Sequence, residues 1–243
     1  MKNVIIIFCL VLMGTTNMNA QWWSSEKVNG NGDMVTDNRK TSNYDKVALV
    51  GSMDVRIVEG REGDLKVDAE SNLQEYIITE VKNGTLKISV EKGVSLNPSR
   101  NLGITVYVTV EDINGLSVTG SGDVSNSGVL KADDLKISIT GSGDVMLNVA
   151  AKDLSGSITG SGDIKLSGNA NVFSCKVTGS GDFMAYNLKA RNVEAGVAGS
   201  GDIEVSATQS LKARVSGSGD ISYRGNPEKQ DFKTSGSGSI FKD

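Results

Sequence analysis

Gly120-Ser121-Gly122-Asp123 is the first copy of a four-residue motif that recurs through the second half of the chain. Later copies begin at Gly141, Gly160, Gly179, Gly199 and Gly217, and a Gly-Ser-Gly-Ser variant begins at Gly236. Successive copies are therefore 18 to 21 residues apart. A nearly constant period of this length is typical of solenoid proteins, in which each repeat forms one coil that stacks on the next.

The residues before each motif alternate between apolar and polar. Two residues before the first glycine stand Val118, Ile139, Ile158, Val177, Val197 and Val215. Four residues before it stand Leu116, Ile137, Gly156, Cys175, Ala195 and Ala213, so one wall of the core narrows towards the C-terminal half. This period of two is the pattern of a β-strand with one buried face, and it resumes after each aspartate. Each repeat therefore predicts a strand, a tight glycine turn, a second strand and a more variable polar corner.

Two short strands cannot enclose a core alone, but stacked repeats can, because each inward side chain meets its copy about 4.8 Å away. Nineteen residues at about 3.3 Å each give a perimeter of about 60 Å, which suits one turn of a β-solenoid. The sequence thus predicts an all-β fold, a parallel β-helix (β-solenoid) with coils of about 19 residues. An antiparallel propeller or meander is the alternative, although the repeat is short for a four-stranded blade.

The first twenty residues have the pattern of a secretory signal peptide. Lys2 supplies the positive charge, residues 4–13 supply an apolar run, and Ala20 precedes the expected cleavage site. The run is too short for a transmembrane helix, and no second one follows. Cys9 lies behind Phe8 rather than behind small residues, which argues against a lipid anchor. We therefore expect an exported protein, located in the periplasm, on the outer surface or secreted.

The rest of the chain divides by composition. Residues 21–43 are polar, and we expect a flexible leader there. Residues 44–243 are interpreted as a single β-solenoid domain, with irregular early coils in 44–118 and regular Gly-Ser-Gly-Asp coils in 119–243. Residues 50–55, Val-Gly-Ser-Met-Asp-Val, are a degenerate copy of the motif. Asn83-Gly84 predicts a tight turn between two strands.

Charge and cysteine content limit the partners and the means of stabilisation. The chain has 25 basic and 29 acidic side chains, and loss of Lys2 would leave 24 against 29. This acidic balance argues against binding to nucleic acid or to anionic membrane surfaces. Loss of Cys9 would leave Cys175 without a disulfide partner, so we interpret it as a small core residue.

Catalytic constellations are missing from the sequence. The chain contains no histidine, which excludes Ser-His-Asp and Cys-His catalysis as well as imidazole metal ligands. The glycine motif lacks the Lys-Ser/Thr ending of a P-loop, and no Gly-x-Gly-x-x-Gly occurs at a βα turn. We therefore predict no enzyme activity and no cofactor.

The aspartates of the motif are the candidate site residues. If the coils stack, these side chains form a ladder about 4.8 Å apart: Asp123, Asp144, Asp163, Asp182, Asp202 and Asp220. Neighbouring carboxylates would repel by about 1 kcal/mol in water, so something must offset the charge. One hypothesis is calcium bound between coils. The other is that each carboxylate accepts hydrogen bonds from the amides of its own glycine turn.

Two further functions compete for the same surfaces. Paired carboxylates are also found in β-helical polysaccharide lyases and hydrolases, which need a cleft walled by long loops. The outward hydroxyl array that includes Ser138 and Thr140 could order water or bind ice. Lys176 and Arg214 interrupt this array, which favours an ordinary β-sheet surface.

The signal peptide, the Val50–Val55 phrase, the segment Asp112-Ile113-Asn114-Gly115-Leu116 and the motif series together resemble the auto-transporter adhesin family with a head GIN domain. The resemblance covers about residues 44–243. It implies an exported bacterial β-helical domain with a role in adhesion. We expect a non-catalytic binding module of the cell envelope or surface, with a glycan or protein ligand. The prediction is compatible with a monomer or an oligomer. The alternatives are a glycan-active β-helix enzyme and a purely structural envelope protein.

Overall fold

The computed structural model of the protein describes residues 25–243. The predicted signal peptide, residues 1–20, lies outside the described residues. Strands dominate the described part, where a single 3₁₀ turn at Gln74–Tyr76 is the one helical element. Within residues 25–243, no helix has the length and apolar character needed to cross a membrane.

The first nine strands precede the regular coils: β1 (Glu26–Asn29), β2 (Met34–Lys40), β3 (Lys46–Gly51), β4 (Asp54–Glu59), β5 (Asp64–Glu70), β6 (Ile77–Lys82), β7 (Thr85–Val90), β8 (Val94–Asn97) and β9 (Thr105–Val110). The next ten form the regular coils: β10 (Gly115–Gly120), β11 (Val124–Ser127), β12 (Leu130–Gly141), β13 (Val145–Gly160), β14 (Ile164–Gly179), β15 (Phe183–Gly199), β16 (Ile203–Gly217), β17 (Ile221–Arg224), β18 (Lys229–Gly236) and β19 (Ile240–Lys242).

From β10 onward the strands stack in parallel and in register. β13 pairs with β14 from Val145 opposite Ile164 to Gly160 opposite Gly179. The same pairing continues from β14 to β15 and from β15 to β16, with register shifts where the repeat length changes. Strands β13 to β16 are 15 to 17 residues long and run through the variable polar corner that we expected to separate two strands. The predicted parallel β-helix with coils of about 19 residues is confirmed.

The core contains the side-chain columns that the alternation predicts. Cys175 lies between Gly156 and Ala195 in the narrow column and is buried. The small residues of this column make room for aromatic rings, because a Cβ at Gly156 would lie 2.5 Å from the ring of Phe183. The rings of Phe173 and Phe183 pack with their centroids 5.6 Å apart. The phenylalanine rings therefore fill the space that the small residues of this column leave in the core.

The early coils do not stack in chain order. In the stack, Val47 of β3 lies between Leu86 of β7 and Leu116 of β10. The first coil in the sequence is thus the second in space. The cause is the predicted turn at Asn83-Gly84, where φ is 50° and 71°, the conformation of a type I′ hairpin. This hairpin joins β6 to β7 and returns the chain on the outer side of β3.

Antiparallel strands cover the N-terminal end of the stack. β5 pairs antiparallel with both β2 and β9, and β6 pairs antiparallel with β7. We call β2, β5, β6 and the 3₁₀ turn the N-terminal cap. Our expectation of stacked parallel strands is wrong for β5 and β6. The physical reason is that the outermost parallel strand would otherwise leave a row of unpaired backbone groups at an open edge.

Part of the segment expected to be a flexible leader is also folded. β2 pairs with β5 over seven residues, and β1 pairs in parallel with β8. Alternation is weak in these strands, because both are polar and mostly exposed. Backbone pairing and side chains of the cap hold these two strands in place. The polar composition of residues 25–40 gave no sign of this pairing.

Candidate functional site

The six aspartates do form a ladder at the glycine turns, and each carboxylate serves the next coil. The amide of Asp163 donates a hydrogen bond to Oδ1 of Asp144 at 2.9 Å, and the amide of Asp182 donates to Oδ1 of Asp163 at 2.8 Å. The same bond joins every regular coil to the next, at 2.7 to 2.9 Å. The hypothesis that each aspartate bonds the amides of its own turn is therefore wrong.

Backbone accounting explains why a carboxylate is needed at this position. The amides of Ser161 and Gly162 both donate to the carbonyl oxygen of Gly141, at 2.9 and 3.2 Å. The amide of Ile164 donates to the carbonyl of Asp182, in the following coil, at 3.0 Å. The Asp163 amide lies between these two sets and takes the Asp144 carboxylate instead. The side chain thus replaces a backbone acceptor that the turn cannot supply.

The two glycines of the motif have different tasks. Gly160 has φ of 129°, a conformation that residues with a Cβ rarely adopt. Gly162 has no such φ, but a Cβ on it would lie 2.1 Å from the carbonyl oxygen of Gly143 in the coil before. The first glycine is therefore needed for the backbone conformation as well as for close contact, and the second for close contact alone.

The ends of the ladder follow the same rule. Asp54, in the degenerate motif, accepts a longer bond of 3.4 Å from the amide of Asp123. At the other end the amide of Ser239 donates to Oδ1 of Asp220 at 2.7 Å. No described turn stacks on Ser239, so a serine there leaves no amide of residues 25–243 without its acceptor.

The metal hypothesis gains no geometric support in the described part of the chain. Among residues 25–243 no group of three or more Asp, Glu, Cys or His side chains is arranged to hold a metal ion. One oxygen of each ladder carboxylate already accepts an amide hydrogen. A calcium ladder remains a hypothesis, and thermal unfolding can test it.

Cys175 cannot act as a nucleophile in this fold. The residue is 2 % exposed, in the interior of the coils. Burial raises the pKa of its thiol far above the ordinary value, so the sulfur stays protonated. The interpretation of Cys175 as a small core residue agrees with this position.

The outward side chains just before the glycine turns form a flat strip along the coil axis. In the first regular coils these are Ser and Thr, in the array that includes Ser138 and Thr140. Further along, Gly196 and Ala198 interrupt the strip and leave a depression of about 390 Å³. A Cβ built on Gly196 would meet no atom within 4 Å, so the space above this residue is open.

Cations surround this space, which we call the Gly196 depression. Lys176, Arg214 and Lys233 line it, together with Glu194. The register places Lys176, Gly196, Arg214 and Lys233 on four successive coils in one straight row. The sequence showed that Lys176 and Arg214 interrupt the hydroxyl array, but we interpreted this as an ordinary β-sheet surface and did not extend the row to Lys233.

A second surface, the acidic groove, lies beside the early regular coils. Its volume is about 820 Å³, and its lining includes Asp112, Asp133, Asp134, Lys131 and Lys152. Lys152 forms an ion pair with Asp133 at 2.9 Å, and this carboxylate raises the pKa of the lysine. Both partners are largely exposed, so the pair contributes little to stability. The groove is open and polar, without an enclosed catalytic cleft.

A third surface, the apolar recess, lies against the first coil near the N-terminal end. It has a volume of about 400 Å³, and its lining includes Met53, Val94, Leu96, Leu102 and Ile104. Pockets of this size with mostly apolar walls are common ligand sites. The motif series gave no indication of it, because the loop between β8 and β9 forms one side.

Glu70 is the buried carboxylate that the sequence did not reveal. It is 1 % exposed and accepts hydrogen bonds from the Ser99 amide at 2.8 Å, the Ser99 hydroxyl at 2.6 Å and the Gly32 amide at 2.5 Å. The Ser99 hydroxyl is the main cause that lowers the pKa of this carboxyl, and the two amides act in the same direction. Glu70 ties the segment after β1 to the loop after β8, and its hydrogen-bonding capacity is used for structure.

With this geometry in place, the family can be assigned. A family model described as "Putative auto-transporter adhesin, head GIN domain" matches residues 43–227, which is well over half of the chain. The chain belongs to this family. The resemblance seen in the motif series is therefore confirmed.

Solved structures agree with the head GIN domain assignment. A "putative adhesin" from Bacteroides fragilis is 29 % identical, with a TM-score of 0.84, and the match covers 89 % of this chain and 100 % of the other. A "putative lipid binding protein" from Parabacteroides distasonis is 34 % identical, with a TM-score of 0.72 and coverage of 90 % and 100 %. A "putative adhesin" from Parabacteroides merdae, 23 % identical with a TM-score of 0.71 and coverage of 90 % and 99 %, shows the fold alone. No curated protein matches the chain.

Proposed function

We propose that this head GIN domain protein is an exported, non-catalytic binding module of the bacterial cell envelope or surface, of the adhesin type. The observation that carries the proposal is the long, flat outer strip of the solenoid. Its strands continue through the corners over 15 to 17 residues, so the regular coils present a repeated row of outward polar side chains rather than a cleft. The family description and the predicted signal peptide support the same function.

Chemical arguments favour binding over catalysis. An acid–base pair needs two groups whose environments separate their pKa values next to an enclosed substrate. Glu70 is fully engaged with Ser99 and Gly32, and the acidic groove is open. A glycan-active enzyme is the alternative function, and the acidic groove would then be its site, with Asp133 and Asp134 as candidate carboxylates.

The main experiment is a binding screen on the exported chain. We expect the purified protein to bind a defined subset of ligands on a glycan and matrix-protein array, with and without calcium, and to leave the bound glycans uncleaved. Mass spectrometry of the glycans after incubation provides the second readout. Failure to bind any ligand would contradict the binding function, and shortened glycans would instead support the enzyme.

The apolar recess supports a second candidate function, lipid binding. The relative from Parabacteroides distasonis carries that description, and the recess is lined by side chains such as Met53, Leu96 and Leu102. If the recess holds an acyl chain, the Leu96→Glu variant should no longer bind a fluorescent fatty acid. Met146→Glu is the matched control, because Met146 is 57 % exposed on another part of the solenoid. Equal binding by both variants would contradict a lipid site in the recess.

A further inference from the structure

The Gly196 depression carries an excess of positive charge on an acidic protein. The chain as a whole has a net charge of −4, yet Lys176, Arg214 and Lys233 all line this one depression. The acidic side chains nearby are already paired: Glu194 with Lys212 at 2.7 Å, and Asp231 with Arg214. Among residues 25–243, no ion pair involves Lys176 or Lys233. The depression therefore presents two ammonium groups whose charge nothing in the described chain compensates by direct contact.

The arrangement of these cations is linear. Lys176 and Arg214 lie two coils apart with Gly196 between them, and Lys233 lies one coil beyond Arg214. With coils about 4.8 Å apart, the row is about 14 Å long and runs along the solenoid axis. A single small anion could contact one end of such a row. An extended polymer with regularly spaced anionic groups could contact the whole row.

The floor between the cations is apolar and made of small residues. Gly196 contributes backbone alone and Ala198 a methyl group, and the aliphatic stems of the lysines form the sides. The volume of about 390 Å³ falls in the range of ordinary ligand pockets. Sugar rings suit this combination, because a pyranose presents apolar C–H groups on one side and its carboxylate at the edge.

Other anionic polymers fit less well. Single-stranded nucleic acid is usually held by aromatic side chains that stack on its bases, and the lining of this depression includes none. A peptide added as a strand needs a free sheet edge. Strands β14, β15 and β16, which carry Lys176, Gly196 and Arg214, are paired on both sides. Within residues 25–243, β18 is paired on one side only, so an added peptide strand would lie beyond Lys233 and not over Gly196. We propose that the Gly196 depression binds an acidic polysaccharide through its carboxylates, with Lys176 and Lys233 as the main contacts. This inference rests on the proposed binding function and names its ligand class.

The site can be blocked without disturbing the fold. Gly196 lies within β15 and is absent from the glycines with positive φ. Other coils carry Ser, Lys or Arg at this position. Gly196→Thr should therefore fill the depression while retaining the strand. The double variant Lys176→Gln/Lys233→Gln removes the two uncompensated charges and leaves the space open.

The test uses oligogalacturonate as the acidic probe and its methyl ester as the neutral probe, in calorimetric titrations of the full exported chain. We expect binding of the acid form alone, weakened by added salt. Each lost charged contact should cost about tenfold in affinity, so the double variant should lose about hundredfold. Gly196→Thr should lose about tenfold, because its side chain occupies the space of a sugar ring. Gly60→Thr and the double variant Lys165→Gln/Lys189→Gln are the controls, because they make the same changes outside the lining of the depression. A Cβ on Gly60 would meet only the Thr109 side chain, at an ordinary contact distance of 3.6 Å. Both controls should bind like the wild type.

Several outcomes would overturn the proposal. The site variants could bind like the wild type, the methyl ester could bind as well as the acid, or an oligonucleotide could compete through the same lysines. A wild type that ignores oligogalacturonate but binds another ligand on the array would contradict this inference and leave the binding function standing. A wild type that binds nothing on the array would contradict both. Melting temperatures of all variants provide the check on folding.

Discussion

In the regular coils, Gly162 packs directly against the turn below it, and the same backbone hydrogen bonds recur at each turn. In the N-terminal cap, the side chain of Arg39 reaches the carbonyl oxygens of Ile77 and Gln74, at 2.5 and 2.8 Å, and the carboxylate of Asp37. The first region repeats one backbone arrangement, so it tolerates variation in its outward side chains. The second region is built once, so single side chains determine its stability.

The largest effect should come from a methyl group in the regular turn. Gly162→Ala places a Cβ about 2.1 Å from the carbonyl oxygen of Gly143, and neither backbone can move without disturbing the coils above and below. We expect a loss of about 3 kcal/mol or more in the free energy of unfolding, measured by denaturant titration. Gly196→Ala is the matched control, since its Cβ meets no atom within 4 Å. If both variants unfold alike, close backbone packing does not hold the coils together.

A smaller and more local effect should follow from Arg39→Ala in the cap. The Arg39 side chain is only 18 % exposed, and its removal leaves the carbonyl of Ile77 without its arginine donor. The carbonyl of Gln74 keeps the amide of Ile77 as its donor. We expect a loss of about 2 kcal/mol. Hydrogen exchange should accelerate in β2, β5 and β6 and stay unchanged in β13 to β16. Arg56→Ala, on the exposed side of β4, is the control, and acceleration throughout the coils would contradict an independent role for the cap.

The same contrast explains what the sequence could predict. Because the motif repeats with a nearly fixed period, alignment of its copies already placed Ile139, Ile158 and Val177 in one column, and the structure has them so. Repetition supplies many consistent observations of one register. Cys175 was placed in the core by the same alignment, with no structural information.

Most of the predictions that failed concern features that occur only once in the chain. Nothing in the spacing shows that β3 lies between β7 and β10, because alternation fixes which side chains face inward but not the order of coils. Arg39 and Glu70 look like ordinary surface charges in a polar segment. The aspartate ladder was predicted, but not its direction, since a carboxylate could reach the amides of its own coil or of the next by the same sequence pattern.

Acid should loosen one end of the molecule before the other. Hydrogen bonds to its charged form lower the pKa of Glu70 below the value of about 4.3 expected in an unfolded chain. Its contribution to stability is therefore fully present above that pH and is lost as the pH falls through the lower folded pKa. We expect the hydrogen-exchange protection factors of the Gly32 and Ser99 amides to fall at low pH. The Ile164 amide should keep its protection, because it donates to the backbone carbonyl of Asp182. Glu70→Gln should lack this pH dependence. An equal loss of protection at all three amides would contradict a local effect of Glu70.

The smallest effect is expected at Asp163, where it decides the purpose of the ladder. Asp163→Asn keeps an oxygen that can accept the hydrogen bond from the Asp182 amide, and it relieves repulsion from the neighbouring carboxylates. We therefore expect a change within about 1 kcal/mol in either direction for Asn, and a loss of about 1–2 kcal/mol for Ala, which leaves the Asp182 amide without its acceptor. The measurement is thermal unfolding of the wild type and both variants, with calcium and with a chelator. Under the hydrogen-bond account, calcium changes none of the three melting temperatures. A calcium-bound ladder instead requires that the chelator lower the melting temperature of the wild type and that Asp163→Asn reduce this shift, because the variant lacks one charged ligand.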